Sequence, residues 1–175
     1  IDRLAKEGTW FSQGYASASV CGPSRAGLLT GVYQQRMGVY GNWDRGGIPE
    51  SQPIIFEMLK KLGYQTCAIG KWHVGACRES LRPNSRAVDF FYGFLWGAHD
   101  YWRSGTDPEI PKKNERPIWR NTSIEPSIQD SNGYLTEMFT KEAVDFIERA
   151  DKNKPFFVYL AYNAVHSLSL IHISE

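Results

Sequence analysis

The sequence has few cysteines, no excess of charge of either sign and no long apolar run. Its three cysteines are too few for a disulfide-based fold and lack the C-x-x-C spacing of a zinc site. Lys and Arg total 20 against 19 Asp and Glu, so the net charge of +1 gives no footprint for nucleic acid or an anionic membrane. The longest apolar runs are far shorter than the roughly 20 residues of a membrane span. We expect neither nucleic acid nor a membrane as partner, whereas a small anionic substrate held by local cations stays open.

The remaining composition is that of one soluble globular domain. Of the 175 residues, 42% are hydrophobic and 22% are charged. The chain opens at Ile1 without Met or a charged-then-apolar leader, so a signal segment is neither visible nor excluded. Cys67 and Cys77 are interpreted as buried or idle thiols, although they could pair in an oxidising compartment.

Apolar spacing and turn residues predict alternating helices and strands. Helices are predicted at residues 1–8, 23–31, 51–63 and 135–150, strands at 64–69, 90–94 and 156–162, and a strand or extended segment at 9–17. Ser51 is the predicted cap of the third helix, with Pro53 in its first turn. Helix, short loop and apolar strand occur twice in succession, which predicts an α/β fold with a largely parallel sheet. Apart from the strand at 90–94, residues 76–130 are predicted to form long loops.

The most informative stretch is residues 21–31, CGPSRAGLLTG. Pro23 favours a helix start, which places Cys21 at a helix N-terminus, where backbone N–H groups and the helix dipole favour an anion. Arg25 follows one helical turn later and lies on the same face. The stretch resembles the first signature of type I, formylglycine-dependent sulfatases, C-x-P-S-R followed by x-x-x-L-T-G.

Two further stretches carry the same resemblance. Residues 63–73, GYQTCAIGKWH, are similar to the second sulfatase signature at each defined position. Residues 155–166, PFFVYLAYNAVH, resemble the family strand that ends in an active-site histidine, with Val165 where the family commonly has proline. The resemblance identifies the chain as a member of the type I sulfatases, within the alkaline phosphatase superfamily.

The resemblance implies a domain layout. It implies an α/β/α sandwich of the alkaline phosphatase type, with residues 1–166 as a partial catalytic domain and a loop-rich insert at about residues 76–130. Residues 167–175 depart from the family, and we expect unrelated sequence joined at a broken reading frame, with a divergent loop as the alternative.

It also implies a mechanism. In the family, a separate formylglycine-generating enzyme oxidises the motif cysteine, so Cys21 would become formylglycine. One hydroxyl of the hydrated aldehyde attacks sulfur, and the other later expels sulfate and restores the carbonyl. Charge on the sulfate oxygens and on the leaving oxygen requires fixed cations and a proton donor.

Four side chains can supply those cations and protons. By resemblance, Arg25 and Lys71 stabilise the hydrate and the sulfate, His73 is the base, and His166 binds sulfate or protonates the leaving alcohol. Lys71 and His73 follow one predicted strand and His166 follows another, at the carboxyl ends where open α/β sheets bind ligands. Singly, each would be an ordinary structural or solvated residue, but the signatures together favour function. The other two histidines lack motif support and default to surface or structural roles: His99 and His172.

The resemblance implies a calcium ion that residue 21, as formylglycine, would help to bind. The acidic pair of the family is expected before Ile1, and the Asp-Asn ligands and a further lysine after Glu175. We therefore expect residues 1–175 alone to be inactive. Family habit predicts an exported protein, periplasmic or secreted, or lysosomal in a eukaryote.

Three alternatives compete with sulfate ester hydrolysis. A phosphonate monoester or phosphodiester hydrolase of the same superfamily stays open, although the K-W-H match at residues 71–73 favours sulfate. A thiol phosphatase needs Cys and Arg separated by five residues, and Gly27 stands where that arginine would be. An inactive truncated product also stays open. The identity of the substrate also stays open, because aryl sulfates, sulfated glycosaminoglycans and algal polysaccharides are all compatible with the sequence.

Overall fold

A mostly parallel sheet organises the fold, in a computed structural model that describes residues 2–42, 46–106, 116–128 and 133–166. The strands are β1 (Gln65–Lys71), β2 (Phe90–Phe94), β3 (Trp119–Arg120), β4 (Ser123–Ile124) and β5 (Phe156–Ala161). Their order is β4-β3-β2-β1-β5, with β1 parallel to both β2 and β5. The short strands β3 and β4 continue the sheet antiparallel at one edge.

Helices cover the sheet from both sides. The α-helices are α1 (Asp2–Glu7), α2 (Cys21–Thr30), α3 (Ile55–Lys61) and α4 (Leu135–Arg149). Short 3₁₀ helices lie at Gln34–Met37, Glu79–Leu81 and Pro83–Arg86. α2 ends where Gly31 adopts a φ of 68° and its N–H donates to the Gly27 carbonyl. The strand and helix predictions at 64–69, 90–94, 135–150 and 156–162 are confirmed within one or two residues.

Side-chain alternation along β1 explains why both faces are covered. Cys67 and Ile69 pack into one core cluster with Phe139 of α4, whereas Ala68 packs into a second cluster with Phe56 of α3. Phe56 and Phe139 are fully buried, and burial of one such side chain stabilises the fold by about 1.5–3 kcal/mol. The predicted α/β fold with a largely parallel sheet is confirmed.

Two local predictions differ from the structure. Residues 9–17, predicted as a strand or an extended segment, form no strand: Trp10, Phe11 and Tyr15 are 80%, 74% and 87% exposed, and no described strand runs beside them to pair with their backbone. The helix predicted from Ser51 begins only at Ile55, because the residue before a proline is disfavoured in helical conformation. Glu57, not Ser51, caps it: the Ile54 N–H donates to Glu57 Oε2 at 3.0 Å.

The long loops predicted at 76–130 contain more order than expected. Besides β2, the structure has the β3–β4 hairpin, whose turn residue Asn121 adopts a φ of 53°. The Asn121 Oδ1 accepts the Phe91 N–H at 2.9 Å, which fastens the hairpin to β2. Hairpins with two residues in each strand lack the apolar run that sequence patterns detect. Residues 167–175, with His172, lie outside the described residues.

The three parallel strands approach closely at one glycine. The sequence predicts that this strand ends at Gly70, but β1 continues to Lys71. Within the sheet, Gly70 pairs with Gly93 of β2 on one side and with Ala161 of β5 on the other. Gly70 has a φ of 96°, and a Cβ at this position would overlap the Ala161 carbonyl oxygen. A glycine is therefore required immediately before Lys71, the last residue of β1.

We expect Gly70→Ala to lower the free energy of unfolding by on the order of 3 kcal/mol, because it adds backbone overlap to a strained φ. The matched control is Gly63→Ala: Gly63 has a φ of 82°, but a Cβ there would meet no other atom within 4 Å. The control should lose only about 1 kcal/mol. Urea unfolding followed by tryptophan fluorescence measures both, and equal losses would show that the strands tolerate a side chain at position 70.

Candidate active site

The five residues predicted from the signatures lie together at the carboxyl ends of β1 and β5. Lys71 interacts electrostatically with Cys21, and its charge acts on both His73 and His166. Arg25 interacts electrostatically with Cys21 and with His73. Residues far apart in the sequence are thus gathered because β1 and β5 are adjacent and parallel, and α2 begins beside their ends.

Cys21 is the first residue of α2 and is only partly buried. Its Sγ donates to Asn42 Oδ1 at 3.4 Å, and the Gly22 N–H donates to the same oxygen at 2.8 Å. Cys67, by contrast, is buried on β1, where burial raises its pKa to about 12, and it forms no disulfide with the exposed Cys77. Of the three thiols, Cys21 is therefore the one that lies at the cluster, and Asn42, which no motif indicated, caps its helix.

Arg25 joins α2 to the sheet. Its Nη1 donates to the Lys71 carbonyl at 2.6 Å and to the Tyr159 hydroxyl at 2.8 Å. Burial lowers the pKa of Arg25, an effect that Tyr159 and Cys21 oppose. The sequence analysis missed Tyr159, although a phenol within an otherwise apolar strand is a signal that a polar partner lies nearby.

Lys71 is a buried cation with no anion of the protein beside it among the described residues. Lys71 is 4% exposed. Burial lowers the pKa of its amine, and the nearby positive charge of Arg25 lowers it further. In the described part of the chain, no carboxylate forms an ion pair with Lys71 or Arg25. Buried positive charges without a partner are unfavourable until an anion binds between them. The cluster is therefore suited to an anionic ligand.

His73 is held neutral. It follows β1 with a left-handed φ of 57°, and a Cβ at Gly97 would lie 2.7 Å from its Nε2, so the ring packs on that glycine. Burial, followed by the charges of Lys71 and Arg25, lowers the pKa of His73 to about 4. Its buried Nδ1 has no hydrogen-bond partner among the described residues. A neutral imidazole of this kind can accept a proton at neutral pH.

His166 completes the cluster from the loop after β5. Burial and the charge of Lys71 lower its pKa, and its Nδ1 has no hydrogen-bond partner in the described part of the chain. Its backbone N–H donates to the Asn163 carbonyl at 3.0 Å, and Asn163 Nδ2 donates to the His99 carbonyl at 2.6 Å. His99 is thus a buried structural residue that supports the loop of His166.

The described residues do not make a calcium site by themselves. They contain no group of three or more His, Cys, Asp or Glu side chains that could hold a metal ion. Calcium prefers six to eight oxygen ligands, and beside residue 21 the described part of the chain offers the amide oxygen of Asn42. Most ligands of such an ion would therefore have to come from outside the described residues.

The environment of His73 can be tested by NMR titration of its ring protons. We expect a midpoint near 4, and a higher midpoint in Lys71→Met, since that variant removes one positive charge that opposes protonation. Lys141→Met, an exposed lysine on α4, is the control and should leave the midpoint unchanged. A midpoint near the ordinary histidine value in the wild-type protein would contradict the buried cationic setting.

Comparisons with known proteins agree with the motifs. The family model described as Sulfatase matches residues 1–170. An arylsulfatase of Hemicentrotus pulcherrimus is 32% identical over 181 residues, which are 95% of this chain and 32% of that protein. The chain thus spans about a third of the length of the curated relatives it matches.

Solved structures show the same fold. The crystal structure of Ps i-CgsB matches with a TM-score of 0.80 at 36% identity, over 95% of this chain and 39% of that one. The structure of BT4656 in complex with its substrate D-glucosamine-2-N,6-O-disulfate matches with a TM-score of 0.72 at 29% identity, over 95% and 29% of the two chains. With its two signatures, its gathered site and these matches, the chain belongs to the sulfatase family and has its alkaline-phosphatase-like fold.

Proposed function

We propose that the protein containing this chain hydrolyses sulfate esters with a formylglycine derived from Cys21. The observation that carries the proposal is the pair of cations, Arg25 and Lys71, that no described carboxylate neutralises, beside a partly exposed cysteine at a helix N-terminus. Fixed cations and a helix N-terminus stabilise negative charge on the non-bridging oxygens of a sulfate ester.

Position 21 suits a formylglycine made by the family's modifying enzyme. The hydrated aldehyde supplies a hydroxyl that forms the bond to sulfur and a second hydroxyl whose deprotonation later releases sulfate. Lys71 interacts electrostatically with this position and stabilises the anion that binds there. Arg25, fixed through Nη1 by Lys71 and Tyr159, keeps its other N–H groups for sulfate oxygens.

The two histidines divide the proton transfers. His73 is neutral above about pH 4 and takes the proton of the second hydroxyl as the bond between sulfate and residue 21 breaks. His166 gives a proton to the leaving alcohol. Burial lowers the pKa of His166, so a smaller fraction is protonated at neutral pH than for an ordinary histidine, and mildly acidic conditions favour this transfer.

The substrate we propose is a sulfated saccharide. BT4656, which is 29% identical to this chain, has a disulfated glucosamine as its substrate, and this supports a sugar sulfate here. We further propose that residue 21 contributes one ligand to a calcium ion, most of whose other ligands lie outside the described residues. We also propose that the protein is exported, either to the periplasm or out of the cell, or to the lysosome in a eukaryote. No described helix is long and apolar enough to cross a membrane.

The proposal predicts that two substitutions affect esters differently. Lys71→Ala should lower kcat by on the order of 10²–10⁴ for an activated nitrophenyl sulfate and for an unactivated alkyl sulfate, because charge develops on sulfate oxygens in both. His166→Ala should lower kcat strongly only for the alkyl sulfate, since a nitrophenolate departs without a proton. Lys141→Ala is the control for loss of an exposed lysine.

Steady-state kinetics of the protein after conversion of Cys21 measures these effects. Unchanged turnover in Lys71→Ala would show that Lys71 has only a structural role. Equal losses for both esters in His166→Ala would refute the proposal that His166 protonates the leaving alcohol. A matched aryl phosphonate decides between the superfamily alternatives. A higher kcat/KM for the phosphonate than for the sulfate would favour a phosphonate monoester hydrolase.

A further inference from the structure

A third cation, Arg116, borders the catalytic cluster without belonging to it. Its guanidinium carbon lies 3.9 Å from the centroid of the Trp96 ring. Trp96 directly precedes Gly97, on which the His73 ring packs, and the charge of Arg116 acts on His73. Arg116 therefore stands beside the proposed base, on the side of the site formed by the segment after β2.

The main chain of Arg116 is also fixed. Its carbonyl oxygen lies 2.6 Å from His99 Nε2, and the His99 carbonyl accepts the hydrogen bond from Asn163. The Asn163 carbonyl in turn accepts the backbone N–H of His166. A continuous chain of hydrogen bonds thus sets Arg116 relative to His166, while Trp96 fixes the plane of its guanidinium. Such a side chain is preorganised for a ligand.

Unlike Arg86 and Arg120, Arg116 has no acidic partner among the described residues. Arg86 pairs with Glu57, and Arg120 pairs with Glu125 and Glu142. The buried Nη1 of Arg116 has no hydrogen-bond partner in the described part of the chain. An unsatisfied buried donor is unfavourable, the more so when it is charged, so an anion that accepts a hydrogen bond from it is favoured.

We propose that Arg116, held on Trp96, is a specificity-determining residue that binds a second anionic group of the substrate, a sulfate or a carboxylate next to the scissile ester. A planar guanidinium suits the oxygens of either group. This inference rests on the proposed function. It assigns no reacting atom to Arg116, so the residue selects substrates and leaves the bond-breaking step to the residues described above.

Binding and kinetics of Arg116→Gln and Arg116→Lys test the proposal. Calorimetry with Cys21→Ala protein, which cannot turn over, compares monosulfated with disulfated galactose and glucosamine, and a monosulfated sugar linked to glucuronate separates carboxylate from sulfate. We expect Arg116→Gln to weaken the probes with a second anion by about 10- to 100-fold, and monosulfated sugars by less than about twofold. Arg116→Lys should lose less than the glutamine variant.

The matched control is Arg82→Gln, because Arg82 also stacks on a tryptophan but in another part of the fold. Its guanidinium carbon lies 4.9 Å from the centroid of the Trp119 ring. The control should leave all affinities unchanged. In the converted protein, Arg116→Gln should raise KM for disulfated sugars more than KM for monosulfated sugars, whereas Arg82→Gln should leave both KM values unchanged. Equal losses for mono- and disulfated probes, or no loss for either, would overturn the subsite. Selective binding without hydrolysis of any sulfate ester would support the subsite and count against the proposed reaction.

Discussion

The site depends on one side chain, Arg25, that joins a helix to a sheet. Its hydrogen bonds to the Lys71 carbonyl and the Tyr159 hydroxyl tie the start of α2 to β1 and β5 at once. Cys21 sits one turn away on the same helix, so these bonds also set the distance between residue 21 and the residues that follow β1. A neutral side chain could fill the space but would supply neither the paired donors nor the charge.

Charge is arranged around that junction to favour a bound anion. Arg25 and Lys71 are cationic and lack carboxylate partners among the described residues, whereas burial and their positive field keep His73 neutral. The same burial that strengthens attraction to a sulfate oxygen prevents the histidine from becoming a competing cation. One electrostatic setting therefore accounts for both anion binding and the capacity of His73 to accept a proton.

The sequence predicted most of this because its signals are local. Pro23 in the first turn and Gly31 after the last turn mark the two ends of α2, and the apolar runs locate β1, β2, α4 and β5. The start of α2, with Cys21, and the end of β1, with Lys71, could therefore be placed from sequence. Partners chosen by tertiary contact could not: Asn42 and Arg116 lie outside the three motif stretches, and Tyr159, although inside one of them, meets Arg25 only through packing. Residues 9–17 form no strand although their rough alternation allows one, because no described strand pairs with their backbone.

The central claim is that residue 21 is the nucleophile in modified form, and peptide mass spectrometry tests it most directly. The protein would be produced in a host that has the formylglycine-generating enzyme, digested, and mapped at Cys21, Cys67 and Cys77. The account predicts formylglycine at position 21 and unmodified thiols at the other two, since burial on β1 shields Cys67 and neither lies in the C-x-P-S-R motif. An unmodified Cys21 in protein that hydrolyses a sulfate ester would contradict it.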